Sequence, residues 1–133
     1  MRINCLALDH KILPIEVREK IVFSHDQAIQ FLTEFRHRYQ IEDVLLISTC
    51  NRTELYILAN NSHEGFGILN SILQTWQTDR DFRVPIQCAA IHSHGASVRR
   101  LMRIAAGLES QIIGESEVLG QVRSAKDLSD KAG

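Results

Sequence analysis

Ser48-Thr49-Cys50-Asn51-Arg52-Thr53 is the stretch of this sequence whose residue types could do covalent chemistry. A cysteine stands two residues from an arginine, among two threonines and an asparagine. Two apolar runs flank it, Asp43 to Ile47 and Glu54 to Leu58. Both are short, rich in branched and aromatic residues and bounded by polar ones, so both read as strands. The hexapeptide then reads as the turn of a β-hairpin. A thiol in such a turn is partly exposed, close to a fixed positive charge and surrounded by hydrogen-bond donors. Those conditions favour the thiolate, the nucleophilic form. The competing reading is a packing cysteine at a hairpin end, and residue chemistry alone leaves both open.

A second constellation lies near the C-terminal end. Arg99 to Ser110 is followed by Gln111 to Gln121, and Ser110, Glu115 and Gln121 are polar residues set among small and apolar ones. Gly107 and Gly114 break the run, and such breaks let backbone approach a ligand closely. A polar break between two packed helices explains the same pattern.

The elements that would position these residues follow in order. Ile3 to Leu8 reads as a strand. Pro14 suits the first turn of a short helix over 15–22. Ser24 and Gln27 have capping-box spacing, and Ala28, Phe31, Leu32, Phe35 and Tyr39 make one helical stripe. His37 lies off that stripe, on a solvated face. After the hairpin, 60–65 reads as a loop and Leu69, Ile72, Leu73 and Trp76 as a second amphipathic helix, with Trp76 in the core. Residues 78–85 read as a charged loop and 86–91 as a strand with Cys88 buried. Strand, helix, strand, strand, helix, strand is the ferredoxin-like split βαβ order, an α+β fold with an antiparallel sheet and helices on one face. From Ala96 the chain reads as helical, with Val98, Leu101, Met102, Ala105 and Leu108 as the inward stripe. A last helix over 116–131 carries Leu119, Val122, Ala125 and Leu128 near one face. We take 1–94 as the core and 95–133 as a helical extension of the same domain.

The chain has 133 residues, 44% hydrophobic and 23% charged, which suits one soluble domain with its own core. A net charge of −1 gives no global basic field for nucleic acid, so a tRNA partner needs a local patch or another segment. Three widely spaced cysteines, an odd number, do not make a disulfide framework and fit a reducing, cytoplasmic setting. No C-x-x-C or Cys/His spacing points to zinc. The N-terminal apolar run is too short for a secretory signal, and no run approaches the length of a membrane span.

With the two constellations taken together, the sequence resembles the N-terminal catalytic domain of the glutamyl-tRNA reductase family. The matching stretches are Asp9-His10-Lys11 with Pro14 and Val17-Arg18-Glu19, then 48–56, 103–110, Gly114-Glu115 and 119–122. They span nearly the whole chain in order, and the Ser-Thr-Cys-Asn-Arg-Thr-Glu run is highly specific. The resemblance implies reduction of the glutamyl ester of glutamyl-tRNA to glutamate-1-semialdehyde with NADPH, on the route to tetrapyrroles including haem. It implies that Cys50 attacks the ester and forms a thioester, which a hydride then reduces. It places Arg52 on the substrate carboxylate, a planar fork suited to bidentate contact. Thr49 and Asn51 would line the same pocket, and Ser110, Glu115, Ser116, Glu117 and Gln121 would surround the glutamyl group. It also implies a homodimer formed through segments outside these residues.

Three departures accompany the resemblance. Arg100 stands where the family usually carries a histidine that assists the thiol or polarises the carbonyl. Arginine does not deprotonate at neutral pH, so a catalytic Arg100 would act by charge on the thiolate or the oxyanion; His92 and His94 are the nearest histidines in sequence. Gly114-Glu115-Ser116-Glu117 replaces Gly-Glu-Pro-Gln, and Glu117 adds a negative charge where an amide would sit. No G-x-G-x-x-G occurs, so NADPH is expected to bind to a domain outside this chain. The competing function is a diverged, non-catalytic paralogue that binds tRNA or a regulator.

Overall fold

In a computed structural model, the described residues are 1–84, 90–106 and 117–132. Strand β1 (Arg2–Asp9) leads into a helical turn α1 (Ile15–Arg18), which tightens into a 3₁₀ turn at Glu19–Ile21. Helix α2 (His25–Tyr39) precedes the hairpin strands β2 (Val44–Ser48) and β3 (Arg52–Ala59). Helix α3 (Ser62–Arg80), the short β4 (Ile91–Ser93), α4 (His94–Ala105) and α5 (Glu117–Ala132) complete the order. The sheet runs β2-β3-β1-β4 and is antiparallel at every pairing. That is the α+β, split βαβ arrangement the sequence order implies.

The helix ends follow from local chemistry. Ser24 and Gln27 form a reciprocal capping box, with bonds of 2.9 and 3.2 Å. Gln40 and Asp81 end α2 and α3 in left-handed backbone. Asn61 accepts the Glu64 amide at 2.8 Å, so α3 begins at Ser62 and takes in residues read from sequence as loop. It also runs on to Arg80, three residues into the expected charged loop. Of the expected strand over 86–91, residues 86–89 with Cys88 lie outside the described residues; the observed β4 starts only at Ile91 and α4 at His94.

The sheet has helices on both faces, not on one as expected, because α4 and α5 fold back over the face that α2 and α3 leave open. On one, Leu6, Leu8, Leu46, Leu55 and Ile57 pack with Leu32 and Phe35 of α2 and Leu69, Leu73 and Trp76 of α3. On the other, Cys5, Ala7, Ile47 and Tyr56 pack with Leu101 of α4 and Ala125 of α5. Burial on both sides explains why β1 reads as a continuous apolar run rather than an alternating one. The inward stripe of α4 differs from the expected one. Met102 is 68% exposed, whereas Ser97 and Ile104 are fully buried. The inward positions are Ser97, Arg100, Leu101 and Ile104, spaced i, i+3, i+4, i+7, and Arg100 sets that rotation through the ion pairs described below.

Candidate active site

The hairpin turn is shorter than the hexapeptide. β2 ends at Ser48 and β3 begins at Arg52, which leaves Thr49, Cys50 and Asn51 as the turn. The Thr49 amide donates to the Arg52 carbonyl at 2.7 Å, and the Asn51 amide donates to Thr49 Oγ1 at 3.1 Å. These bonds are the local compensation a Thr/Asn turn supplies for backbone groups outside the ladder. Cys50 sits in the turn and is exposed. Beneath it, the buried Arg18 of α1 donates through Nη1 to the Cys50 carbonyl at 3.4 Å and to Asn51 Oδ1 at 3.3 Å. Ser48 Oγ accepts from the Phe23 amide at 2.8 Å, and Thr53 Oγ1 donates to the Ile21 carbonyl at 3.0 Å. Arg18 of α1 and the residues after it, to Phe23, therefore hold the Cys50 turn and its strand ends from one side.

The other side is ionic. Along β3, Arg52, Glu54 and Tyr56 share the face toward α4 and α5, as the two-residue period requires. Glu54 is fully buried and collects four donors: Arg52 Nη1 at 3.0 Å, Tyr56 Oη at 2.8 Å, and Arg100 Nε and Nη2 at 2.9 and 3.0 Å. Arg100 Nη2 also donates to Asp9 Oδ2 at 2.6 Å. Two carboxylates and two guanidiniums thus balance in a buried cluster. Burial alone would raise the Asp9 pKa, but the bond and charge of Arg100, the Lys11 amide and the charge of Arg52 bring it below the ordinary value. Burial opposes the Arg100 charge in turn, and Glu54 and Asp9 more than restore it, above the usual guanidinium range.

The two described cysteines differ sharply. Cys5 lies in the second core layer, where burial and then the nearby Glu54 charge push its thiol far above the ordinary value. It is an inert packing thiol. Cys50 is the accessible one.

Comparison with known proteins decides the family. The family profile for the glutamyl-tRNA(Glu) reductase N-terminal domain matches residues 6–133. A glutamyl-tRNA reductase of Shouchella clausii is 36% identical over 126 residues, 94% of this chain and 27% of that protein. That of Acaryochloris marina is 34% identical over 135 residues, 98% of this chain and 30% of its own length. The solved glutamyl-tRNA reductase of Methanopyrus kandleri superposes with a TM-score of 0.68 at 27% identity, covering 99% of this chain and 29% of that one. The chain belongs to the glutamyl-tRNA reductase N-terminal domain family. It spans less than a third of the length of these relatives.

Of the residues the family resemblance singles out, the fold brings Thr49, Cys50, Asn51 and Arg52 together at one end of the sheet. Arg100 reaches the same region from α4, where it donates to Asp9 and Glu54. Ser110, Glu115 and Ser116 lie outside the described residues. Glu117 and Gln121 belong to α5, with their side chains outside the described part. His94 accepts the Ile3 amide through Nδ1 at 3.2 Å, and six residues of strand, roughly 20 Å, separate Ile3 from Asp9 at the turn end. His92 pairs with Cys5, also upstream of that end. Neither occupies the place a histidine beside Cys50 would need.

Arg18, His10, Asp9 and Glu54 are site neighbours that sequence chemistry did not single out. Glu54 had a readable signal, since Arg52, Glu54 and Tyr56 alternate on one strand face. His10 follows Asp9, whose strand partner is Arg52. Its Nδ1 is buried and finds no hydrogen-bond partner among the described residues, and neither does Arg18 Nε. Burial disfavours the charged imidazole; Asp9 opposes that, while Arg52, Arg18 and Lys11 add to it, and the His10 pKa ends below its ordinary value. The described residues do not fit a dinucleotide: the sheet is antiparallel throughout and lacks a glycine-rich strand-to-helix turn. Among them no cluster of metal-ligating side chains occurs, and no helix is long and apolar enough to cross a membrane.

Proposed function

We propose that this chain carries the acyl-transfer half of a glutamyl-tRNA reductase. Cys50 sulfur attacks the ester carbonyl of glutamyl-tRNA, the tRNA oxygen departs, and a glutamyl thioester remains. The observation that carries this reading is the exposed Cys50 in a turn held by Arg18 and based on Arg52, with the other described cysteine sealed in the core. Arg52 is assigned to the substrate carboxylate. Its guanidinium is buried and fixed on Glu54, so its direction is set before a ligand arrives. Thr49 and Asn51 line the same pocket, and Ser110, Glu115, Ser116, Glu117 and Gln121 are assigned to the glutamyl group by family resemblance. Arg100 is assigned a positioning role: it holds the Glu54 carboxylate that orients Arg52. NADPH, if held by the length of such enzymes that this chain does not span, would supply hydride for reduction of the thioester to glutamate-1-semialdehyde. The tRNA is the macromolecular partner, dimerisation belongs to the remaining length, and the setting is the cytoplasm.

The test is a single-turnover reaction of the chain with glutamyl-tRNA labelled on the glutamate, quenched in acid and read by intact-protein mass. The expected result is a glutamyl adduct that disappears in Cys50→Ser. An adduct that survives Cys50→Ser would sink the assignment.

A further inference from the structure

The acyl transfer needs a group that can take the thiol proton and give it to the leaving oxygen. Arg100 cannot serve, because it does not deprotonate near neutral pH and its guanidinium is tied to two carboxylates. The histidines near it in sequence lie toward the other end of β1.

His10 is at the right end. It is one residue beyond the last β1–β3 pair, Asp9 with Arg52, and the Cys50 turn ends one residue before that same Arg52. Arg18, which acts on the His10 charge, also holds the Cys50 carbonyl and Asn51 side chain. The imidazole is half-buried, and its Nδ1 is enclosed without a partner among the described residues. An enclosed polar atom with no partner among the described residues, at the same end of the sheet as the Cys50 turn, invites a functional account.

We propose that His10 is the proton-handling residue for Cys50. The inference rests on the thioester reading above. As sulfur forms its bond to the ester carbon, the thiol proton passes to the neutral imidazole, directly or through one water. As the carbon–oxygen bond to the tRNA ribose breaks, the imidazolium returns that proton to the departing oxygen. The products are a glutamyl thioester and a tRNA hydroxyl, with no net proton change. The charged groups facing His10 are Asp9 and Lys11 on its own segment, Arg18 from α1 and Arg52 from β3. Burial first, then the cations Arg52, Arg18 and Lys11 against the opposing Asp9, keep the imidazole neutral and ready to accept.

The test measures alkylation of Cys50 by iodoacetamide against pH, located by peptide mass, in the wild-type chain, His10→Asn and His10→Gln, each checked for an unchanged melting transition. Asparagine keeps a hydrogen-bonding atom near the Nδ1 position but takes no proton, so it would rescue a merely structural role. The expected result is a tenfold or greater loss of rate at neutral pH in both variants, with loss of an inflection present in the wild type. Superimposable profiles, or full rescue by asparagine, would overturn the proposal. The glutamyl-tRNA reaction forms a second arm. An adduct that forms in the wild type and at least tenfold more slowly in His10→Asn supports the role. An adduct that forms equally fast in both overturns His10 and leaves the thioester reading standing. Absence of any wild-type adduct overturns the thioester reading and the acyl role of His10 with it, while the alkylation profile still reports whether His10 controls the thiol proton.

Discussion

The two faces of the sheet are held by different physics although the same strands build them. Along β3, Leu55 and Ile57 enter an apolar layer with α2 and α3, and Arg52, Glu54 and Tyr56 enter a layer closed by α4 and α5. The first is held by area removed from water, which is non-directional and tolerates small shifts. The second is held by a fully buried carboxylate with four donors, whose partners have no freedom of direction. A buried ion cluster is weak evidence of extra stability, since desolvation offsets most of its attraction. What it supplies is geometry. Arg100 fixes the rotation of α4, and Glu54 fixes the aim of Arg52. The Cys50 turn lies where the two faces meet, clamped by α1 from one side and by the cluster from the other.

That contrast predicts its own largest break. Glu54→Ala leaves Arg52, Arg100 and the Tyr56 hydroxyl facing each other without the carboxylate. The expected loss is about 3–5 kcal/mol, the cost of orphaning buried charge. Leu55→Ala, the neighbouring residue on the apolar face, is expected to cost about 2–5 kcal/mol through a cavity. Urea unfolding of both singles cannot separate the faces, but partner removal can. Adding Arg100→Met to Glu54→Ala should restore part of the loss, because the charges left in the cluster, Asp9 and Arg52, then balance again. Adding Leu32→Ala to Leu55→Ala should only deepen it. An Arg100 substitution that worsens Glu54→Ala would refute the ionic account of the second face.

A smaller effect sharpens the apolar face. Asn4 is its polar exception, 1% exposed with both amide atoms unpartnered among the described residues. Gly65 of α3 packs on it so closely that a Cβ there would stand 2.3 Å from Asn4 Oδ1. Elsewhere in a helix, glycine to alanine gains about 1 kcal/mol. Here Gly65→Ala is expected to lose about 1–2 kcal/mol, as overpacking does. The same change in an Asn4→Ala background should become stabilising, and thermal melts of the four proteins would show whether the sign reverses.

Much of the apolar face was legible in the sequence and much of the ionic face was not, for a physical reason. Apolar periodicity reports burial directly, so β1, α2, the hairpin and the split βαβ order could be read from residue types. The capping box at Ser24 was readable because its chemistry is local. The α4 stripe was misread because an inward arginine breaks the rule that charges face water. Val98, Leu101, Met102 and Ala105 make the better apolar pattern, yet Ser97, Arg100, Leu101 and Ile104 are the packed one. The cysteine turn was visible as a motif, and the family resemblance gave it a role. Its neighbours Arg18 and His10 arrive from 32 and 40 residues upstream, 50 − 18 and 50 − 10. Only the fold brings such residues together.

The smallest expected effect is a pair of pH shoulders that separate the ionic cluster from the turn end of the sheet. Asp9 belongs to the ionic side, and its pKa in the folded chain is below the ordinary carboxyl value of 3.8. Its stabilisation is complete above that value and is lost as pH falls through the lower folded value, because the unfolded chain takes up the proton first. His10 also has a lowered folded pKa, from an ordinary value of 6.5. Folding therefore disfavours its protonation, and stability declines as pH falls below 6.5 toward that lower folded value. Unfolding free energy against pH should show two separate declines, the first starting near neutrality and the second below the ordinary carboxyl value. His10→Asn should remove the first and keep the second, and Asp9→Asn the reverse. If Asp9→Asn removed both, His10 would be answering to Asp9 rather than to burial and the guanidiniums of Arg18 and Arg52, and the separation of the turn from the ionic cluster would fail.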